Sequence, residues 1–167
     1  VEARMTSTRL PGKVLLPACG KPILALQVER LKQVKQLDDI VIATTTNKTD
    51  DPIVDLAKSL NIGFFRGSEE DVLARVLLAA KSYKADIIVQ ILGDCPAIDP
   101  ALISQCIDTY LNLDVDYVSN ALKRTFPGGM VTNVFSTSVL NEIEETTRED
   151  SEAREHVSIV IYNQPNR

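Results

Sequence analysis

The alternation that decides the fold is clearest in residues 38–65, which read DDIVIATTTNKTDDPIVDLAKSLNIGFF. Apolar runs at 40–43 and 62–65 are of strand length, and their continuity is typical of strands covered on both faces. Between them, Asp51-Pro52 favours the start of a helix. The apolar residues that follow recur at the spacing of one helical face; they are Ile53, Leu56, Ala57 and Leu60. We therefore predict a β-α-β unit with two parallel strands.

The same alternation continues on both sides of this segment. Apolar runs predict further strands, which lie at 87–91, 115–118 and 130–135. Helical spacing predicts one helix at about 22–34, one after Ser68 with Asp71 as an approximate capping box, and one after Asp99-Pro100. Strands that alternate with helices form β-α-β units. We therefore predict an α/β fold with a mostly parallel central sheet and helices on both faces.

Composition narrows the class of protein. The chain has 167 residues, of which 44% are hydrophobic and 25% are charged, as in globular domains. No repeat or Gly/Ser linker divides it, so we predict one domain over residues 1–167. The net charge of −5 argues against a nucleic-acid-coating role, and no apolar run approaches the ~18 residues of a membrane span. The three cysteines lack metal-binding spacing, so we expect reduced thiols and a cytoplasmic location.

The predicted sheet directs attention to the loops at one of its edges. Ligands of parallel α/β sheets bind at the carboxyl ends of the strands. In this chain that rule selects four loops, at 3–13, 44–50, 66–71 and 92–98. We predict that they meet in the folded protein.

The first of these loops is basic within an acidic chain. It combines three cations with small and hydroxylic residues, namely Arg4, Arg9, Lys13, Thr6, Ser7, Thr8 and Gly12. Small residues let backbone amides approach an anion, while Arg and Lys neutralise it, as a triphosphate requires. The loop is not a P-loop, because the first glycine and the Ser/Thr after the lysine are absent. Composition alone favours a phosphate site and a solvated basic loop equally.

Gly93-Asp94-Cys95-Pro96 follows the most apolar predicted strand. A carboxylate at a strand's carboxyl end, facing a basic loop, is suited to hold Mg²⁺ against phosphate oxygens. The alternative is an ordinary turn, since Gly-Asp and Cys-Pro both favour turns. The residues alone do not separate the two interpretations.

Three other segments carry weaker signals. Arg66-Gly67-Ser68 ends a strand before a helix and could bind a base or sugar, although an ordinary helix cap is the more frequent meaning. Asp114-Val115-Asp116 matches a two-carboxylate metal pattern, but it begins a strand away from the functional edge, so we interpret it as coincidence. His156 is the sole histidine, and we interpret it as structural because no nucleophile accompanies it.

Taken in order, these segments resemble a known family. The opening, with Ala3-Arg4, Ser7-Thr8-Arg9-Leu10-Pro11-Gly12-Lys13 and Gly20-Lys21-Pro22, resembles that of bacterial sugar cytidylyltransferases. Those enzymes make CMP-activated 3-deoxy-manno-octulosonic acid, sialic acid and related acids. Later blocks are more similar to one branch, the spore coat polysaccharide biosynthesis (SpsF) type; they are residues 42–47, 65–73, 93–100, 116–120, 124–127 and 154–157. The similarity extends over essentially the whole chain.

The resemblance implies a three-layer α/β/α nucleotidyltransferase fold and transfer of CMP from CTP to a sugar or sugar acid, with pyrophosphate released. It implies that Arg4 and Lys13 are catalytic and hold the triphosphate, and that Asp94 binds the cofactor Mg²⁺. The implied nucleotide-binding residues are Ala3, Ser7, Thr8, Arg9, Arg66, Gly67, Ser68 and Asp71. Related enzymes are often dimers, so a homodimer is a further expectation; neither a nucleic acid nor a membrane is an expected partner.

The chain also departs from the family pattern. Where the family carries acidic residues at two positions and often a charged one at a third, this chain has Val131, Asn133 and Gly128. This difference leaves a second interpretation open, a non-catalytic nucleotide- or sugar-binding module; another base or a non-sugar acceptor is a third. Only two residues precede the first motif, and family members continue well beyond Arg167. We therefore expect a domain truncated at both ends.

Overall fold

The computed structural model describes residues 1–123, 125–147 and 154–163, so Arg124 of the family-like blocks lies outside the described residues. Within these ranges the elements alternate much as expected. In chain order they are a 3-10 turn at Lys13–Leu15, β1 (Pro17–Ala18), β2 (Lys21–Pro22), α1 (Ile23–Leu31), β3 (Val41–Thr45), a 3-10 turn at Lys48–Asp50, α2 (Asp51–Ser59), β4 (Gly63–Gly67), α3 (Val72–Ser82), β5 (Ile87–Gln90), α4 (Pro100–Asn112), β6 (Tyr117–Ser119), β7 (Asn133–Ser136), α5 (Thr137–Thr146) and α6 (Ile159–Asn163).

The central sheet is mostly parallel, as the sequence predicts. β3 and β4 pair in parallel, with Val41 opposite Gly63. The segment before the basic loop lies between β3 and β5, because Glu2 forms parallel bridges to both Ala43 and Leu92. β7 is antiparallel to both β5 and β6. The order across the sheet is therefore β4, β3, residues 1–3, β5, β7 and β6, with one antiparallel strand. β1 and β2 form a separate short hairpin.

Helices cover both faces of the sheet. On β7, the neighbouring residues Val134 and Phe135 are both fully buried, and they belong to different core clusters. Val134 packs with Ile103 of α4, whereas Phe135 packs with Leu73 of α3 and Leu140 of α5. Because successive side chains on a strand point to opposite faces, α4 lies on one side and α3 with α5 on the other. The predicted three-layer α/β/α architecture is confirmed. Within the described ranges, every helix is too short or too polar to cross a bilayer.

Two predicted helix starts are shifted. The capping box at Ser68 is wrong: α3 begins at Val72, and the carboxylate of Asp71 caps it by accepting from Ala74 N at 2.8 Å. Ser68 Oγ instead accepts from Asp71 N, one turn earlier. The reason is local, because Asp71 is one of the residues that satisfy free amides of a first turn well.

The second shifted start is that of α2. Asp51 was expected as the cap, but it is the first helical residue, and Asp50 occupies the preceding position without capping the helix. Asp50 uses its carboxylate elsewhere, on the loops beside β3. The third expected start is correct: Asp99 accepts from Ala101 N at 2.8 Å, and Pro100 opens α4.

Gly93 allows a close crossing at the edge of the sheet. Its N–H donates to Glu2 O at 2.8 Å, and a Cβ placed on it would lie only 2.6 Å from that same oxygen. No side chain fits there without moving the segment that leads into the basic loop. Glycine at this position therefore lets residues 1–3 join the sheet and sets where Asp94 begins.

We expect Gly93→Ala to lower the free energy of unfolding by about 1–3 kcal/mol, because the added methyl group overpacks a backbone contact. Urea denaturation of the purified chain measures this. Gly128→Ala is the matched control, since a Cβ there meets open space, and it should change the free energy little. Equal stability of both variants would contradict the close-contact explanation.

Candidate functional site

The four loops selected from the sequence do meet at the carboxyl ends of the parallel strands. Loop 3–13 contacts loop 66–71 through the ion pair of Arg4 with Glu69, 3.4 Å between Nη1 and Oε1. It contacts loop 92–98 through an ion pair of Lys13 with Asp94. It contacts loop 44–50 through Asp50, which accepts from the backbone N–H of Met5 at 2.8 Å. The prediction that these loops form one site is confirmed.

The basic loop is closed on itself before it reaches Lys13. Gly12 N donates to Met5 O at 2.8 Å, and Gly12 has a left-handed backbone with a φ of 72°. Glycine adopts this conformation without the steric cost that other residues pay. A short 3-10 turn begins at Lys13 directly afterwards. The closure therefore fixes where the Lys13 side chain starts.

Lys13 and Asp94 form the centre of the site. Their side chains are 25% and 34% exposed, so the pair is reachable from solvent but partly shielded. Burial works to raise the pKa of Asp94, but the hydrogen bond and the positive charge of Lys13 outweigh it and hold that pKa below its ordinary value. Asp94 is therefore ionised at neutral pH and loses its charge only as the pH falls through this lowered value. The other carboxylate oxygen, Oδ1, is 3.8 Å from Cys95 Sγ.

Glu69 joins three of the loops, and sequence reasoning did not select it. Its Oε1 accepts from Arg4 and from Thr6 Oγ1, and its Oε2 accepts from Asn47 Nδ2. An acid beside the cations was visible in the sequence, but Glu70 and Asp71 follow it directly. Only the folded chain distinguishes which of the three turns toward the basic loop.

Arg66 braces a loop from behind. Its guanidinium donates to Thr45 O at 2.8 Å, to Asn47 O at 2.7 Å and to Asp51 Oδ1 at 2.7 Å. These three bonds shape loop 44–50, so the structure gives Arg66 a structural task. Direct contact of Arg66 with the nucleotide stays a prediction.

Arg75 supports loop 66–71 from below and was also missed. It is 3% exposed, and its Nη1 donates to the carbonyls of Ser68 and Glu69. Burial lowers the pKa of its guanidinium, while the negative charge of Glu2 acts in the opposite direction. A Cβ at Gly67 would lie 2.9 Å from Arg75 Cγ, so this glycine makes room for the arginine. The signal in the sequence was a single cation within the apolar face of α3.

The remaining predicted nucleotide-binding residues lie around this centre. Ala3 is buried in the core, and its N–H donates to Ala43 O at 3.3 Å. Ser7 is half-buried and accepts from Leu10 N at 3.5 Å, whereas Thr8 and Arg9 are exposed on the loop. Asp71 caps α3 and also pairs with Arg154 at 3.3 Å. Contact of these residues with a nucleotide stays a prediction.

The strand that departs from the family pattern carries a polar network instead of acids. Asn133 Oδ1 accepts from Tyr117 OH and Ser119 Oγ, each at 2.8 Å, and its Nδ2 donates to Gln90 Oε1 at 3.2 Å. Gln90 in turn donates to Glu2. The carboxamide at position 133 thus links β6, β7 and β5 at the same edge of the sheet.

A cavity of about 480 Å³ lies at the opposite, amino-terminal end of the strands. Leu37, Ile40, Tyr83 and Ile87 are among its lining residues. It shares no residue with the cluster of Arg4, Lys13, Glu69 and Asp94. We therefore treat the carboxyl edge as the candidate site.

The sheet order and the loop cluster define a nucleotidyltransferase of the α/β class. The solved structure of a cytidylyltransferase from Leptospira borgpetersenii serovar Hardjo-bovis superposes with a TM-score of 0.93 at 37% identity, over 99% of this chain and 70% of that one. A family model described as Cytidylyltransferase matches residues 1–167. The chain belongs to the cytidylyltransferase family.

Two sequence relatives bear this out. An uncharacterized protein of Methanocaldococcus jannaschii is 42% identical over 99% of this chain and 67% of its own length. Spore coat polysaccharide biosynthesis protein SpsF of Bacillus subtilis is 36% identical over 99% of this chain and 69% of its own length. The chain therefore spans about two thirds of these relatives. The resemblance inferred from the ordered sequence blocks is confirmed.

Proposed function

We propose that this chain binds CTP at the carboxyl edge of its sheet and transfers CMP to a sugar or sugar acid, releasing pyrophosphate, in surface polysaccharide biosynthesis. The observation that carries the proposal is the pairing of Lys13 with Asp94 from two loops that are distant in sequence. A cation and a carboxylate side by side match a triphosphate and its counter-cation. We place the reaction in the cytoplasm, where CTP is supplied, and the SpsF relative supports the polysaccharide context.

The cations of the site have partners that a triphosphate can replace. Arg4 pairs with Glu69 and Lys13 with Asp94. Both arginine and lysine bind phosphate oxygens strongly. When CTP enters, we expect each cation to turn from its carboxylate toward the phosphates. The acceptor hydroxyl then attacks the α-phosphorus, the bond to the bridging oxygen breaks, and pyrophosphate leaves. Positioning and charge neutralisation carry such a reaction without a protein nucleophile.

The residues present fit a magnesium ion. Within the described part of the chain, three or more acidic, histidine or cysteine side chains do not gather into a site that could hold a metal by themselves. Mg²⁺ does not require one, since it is usually bound by one or two carboxylates together with waters and substrate phosphates. Asp94 is ionised, and its Oδ1 has only the weak thiol contact of Cys95. Asp94 would hold the ion, which would neutralise charge on the phosphates.

The test is pyrophosphate release from CTP in Mg²⁺, with a panel of sugars and sugar acids as acceptors. We expect release that depends on both CTP and one class of acceptor. CTP, UTP and GTP in competition identify the base, and we expect CTP to compete best. The absence of release with every acceptor, in a chain extended to the full length of its relatives, would contradict the catalytic proposal.

A second candidate, a non-catalytic nucleotide-binding module, is favoured by one observation. The carboxamide of Asn133 stands where the family carries an acid, and its hydrogen bonds go to Tyr117, Ser119 and Gln90. The acceptor side of the site thus offers one carboxylate fewer. Saturable binding of CTP without release of pyrophosphate is the result that would select this candidate.

A further inference from the structure

Asp50 is a fully buried carboxylate beside the candidate site. Its Oδ1 accepts from Met5 N at 2.8 Å. Its Oδ2 accepts from Thr45 N at 3.1 Å, from Thr44 Oγ1 at 3.0 Å and from Thr45 Oγ1. Buried charges are costly unless they are well hydrogen-bonded, and these donors meet that cost. The donors come from two of the four loops, so the carboxylate joins them.

We propose that Asp50 is a positioning residue that fixes the phosphate-binding loop for the triphosphate of CTP. The proposal rests on the proposed function of the site. Asp50 does not reach the site's open face itself; it acts through Met5. The N–H of Met5 is held by Asp50, and the carbonyl of the same residue accepts from Gly12 N at 2.8 Å. Asp50 is thereby connected through one residue and one hydrogen bond to the turn that begins at Lys13.

The chemistry of this contact requires a carboxylate. Each of the two oxygens receives a backbone N–H, from Met5 on one side and from Thr45 on the other. Asparagine has the same shape but only one acceptor oxygen, so one of these two backbone donors must face an NH₂ group. A buried donor without an acceptor is costly, and the loop is the freer of the two partners because β3 is paired within the sheet.

The proposal predicts a selective loss of affinity in Asp50→Asn. We expect the dissociation constant of CTP, measured by calorimetry in Mg²⁺, to rise about tenfold or more, as one lost buried hydrogen bond predicts. CMP lacks the β- and γ-phosphates, so its dissociation constant should change less than about threefold if the pocket is otherwise intact. Asp55→Asn is the matched control on exposed α2 surface, where Asp55 pairs only with Lys58 at 3.8 Å, and it should leave both constants unchanged.

Amide exchange tests the contact without any nucleotide. The Met5 N–H of the parent should be protected from hydrogen exchange, and Asp50→Asn should lose that protection while amides in the middle of β3 keep theirs. If Asp50→Asn does not fold, the parent exchange and Thr44→Val decide, because the valine removes one hydroxyl donor to the same oxygen while keeping the side-chain shape. We expect Thr44→Val to weaken CTP binding and to leave CMP binding near the parent value.

The outcomes separate this proposal from the function on which it rests. A parent that binds no CTP overturns the proposed function. A parent that binds CTP, together with a folded Asp50→Asn variant that binds CTP equally well or loses CTP and CMP affinity in equal proportion, overturns the positioning role alone. Unprotected exchange at Met5 in the parent overturns it as well.

Discussion

Lys13→Ala should lower kcat for CTP-dependent pyrophosphate release by about 10²- to 10³-fold, the loss measured when one pre-organised electrostatic donor is removed from a transition state. Lys13 is the cation on which the basic loop and loop 92–98 converge, through its pair with Asp94. Its removal leaves Arg4 to neutralise the leaving phosphates and leaves Asp94 without its counter-charge. Initial rates at saturating CTP, Mg²⁺ and acceptor measure the effect.

Lys58→Ala is the control for this variant. Lys58 is an exposed cation in the last turn of α2, with an ion pair of 3.8 Å to Asp55, and it should leave the rate unchanged. Thermal unfolding of both variants shows whether a loss of rate reflects a loss of fold. A folded Lys13→Ala variant that keeps the parent rate would contradict the role assigned to Lys13.

Asp94→Asn should reduce kcat at least about 100-fold, since neutralisation of phosphate charge by a bound metal ion is worth several kcal/mol. An amide keeps the shape of the carboxylate and can still accept from Lys13, but it carries no charge, and Mg²⁺ prefers carboxylate oxygens. The concentration of Mg²⁺ that gives half-maximal rate should rise in the same variant. This second effect distinguishes loss of a metal ligand from loss of the Lys13 contact.

Asp108→Asn provides a matched substitution away from the site. Asp108 is exposed on α4 and accepts from Gln36 at 3.2 Å, so its replacement should alter neither the rate nor the Mg²⁺ requirement. If Asp94→Asn showed the parent's Mg²⁺ requirement with a reduced rate, Asp94 would act through Lys13 and not through a metal ion.

Much of this architecture was predictable from the chain because local pattern and global fold agree. The apolar runs at 40–43 and 62–65 became β3 and β4, and the parallel pairing followed from the helix between them. The rule that ligands bind where parallel strands end then selected loops that do meet. Lys13 and Asp94 were both chosen in advance, and the structure brings them into contact.

The supporting residues could not be chosen in the same way. Asp50 and Asp51 are adjacent acids, and helix-start rules favoured Asp51 as the cap, whereas the buried acceptor is Asp50. Glu69 is one of three consecutive acids, and Arg75 is a cation on an apolar helical face. Each acquires its role from partners distant in sequence, which local propensity does not encode. Such contacts follow only after the sheet has assembled.

The departure at Asn133 shows how a lost acid can leave the fold intact. An aspartate there would place a charge among Tyr117, Ser119 and Gln90, while the carboxamide both donates and accepts within that set. The network keeps β5, β7 and β6 joined at the edge where the nucleotide is proposed to bind. The nucleotide half of the site therefore does not depend on the acid that this chain lacks.

The most direct test of the central claim is to locate CTP on the protein. Backbone amide shifts of the isotope-labelled chain should be followed by NMR during titration with CTP and Mg²⁺. We predict saturable changes in loops 3–13, 44–50, 66–71 and 92–98, with little change around the cavity near Leu37 and Tyr83 at the other end of the strands. Changes confined to that cavity, or no changes at saturating CTP, would contradict a triphosphate site organised by Lys13 and Asp94.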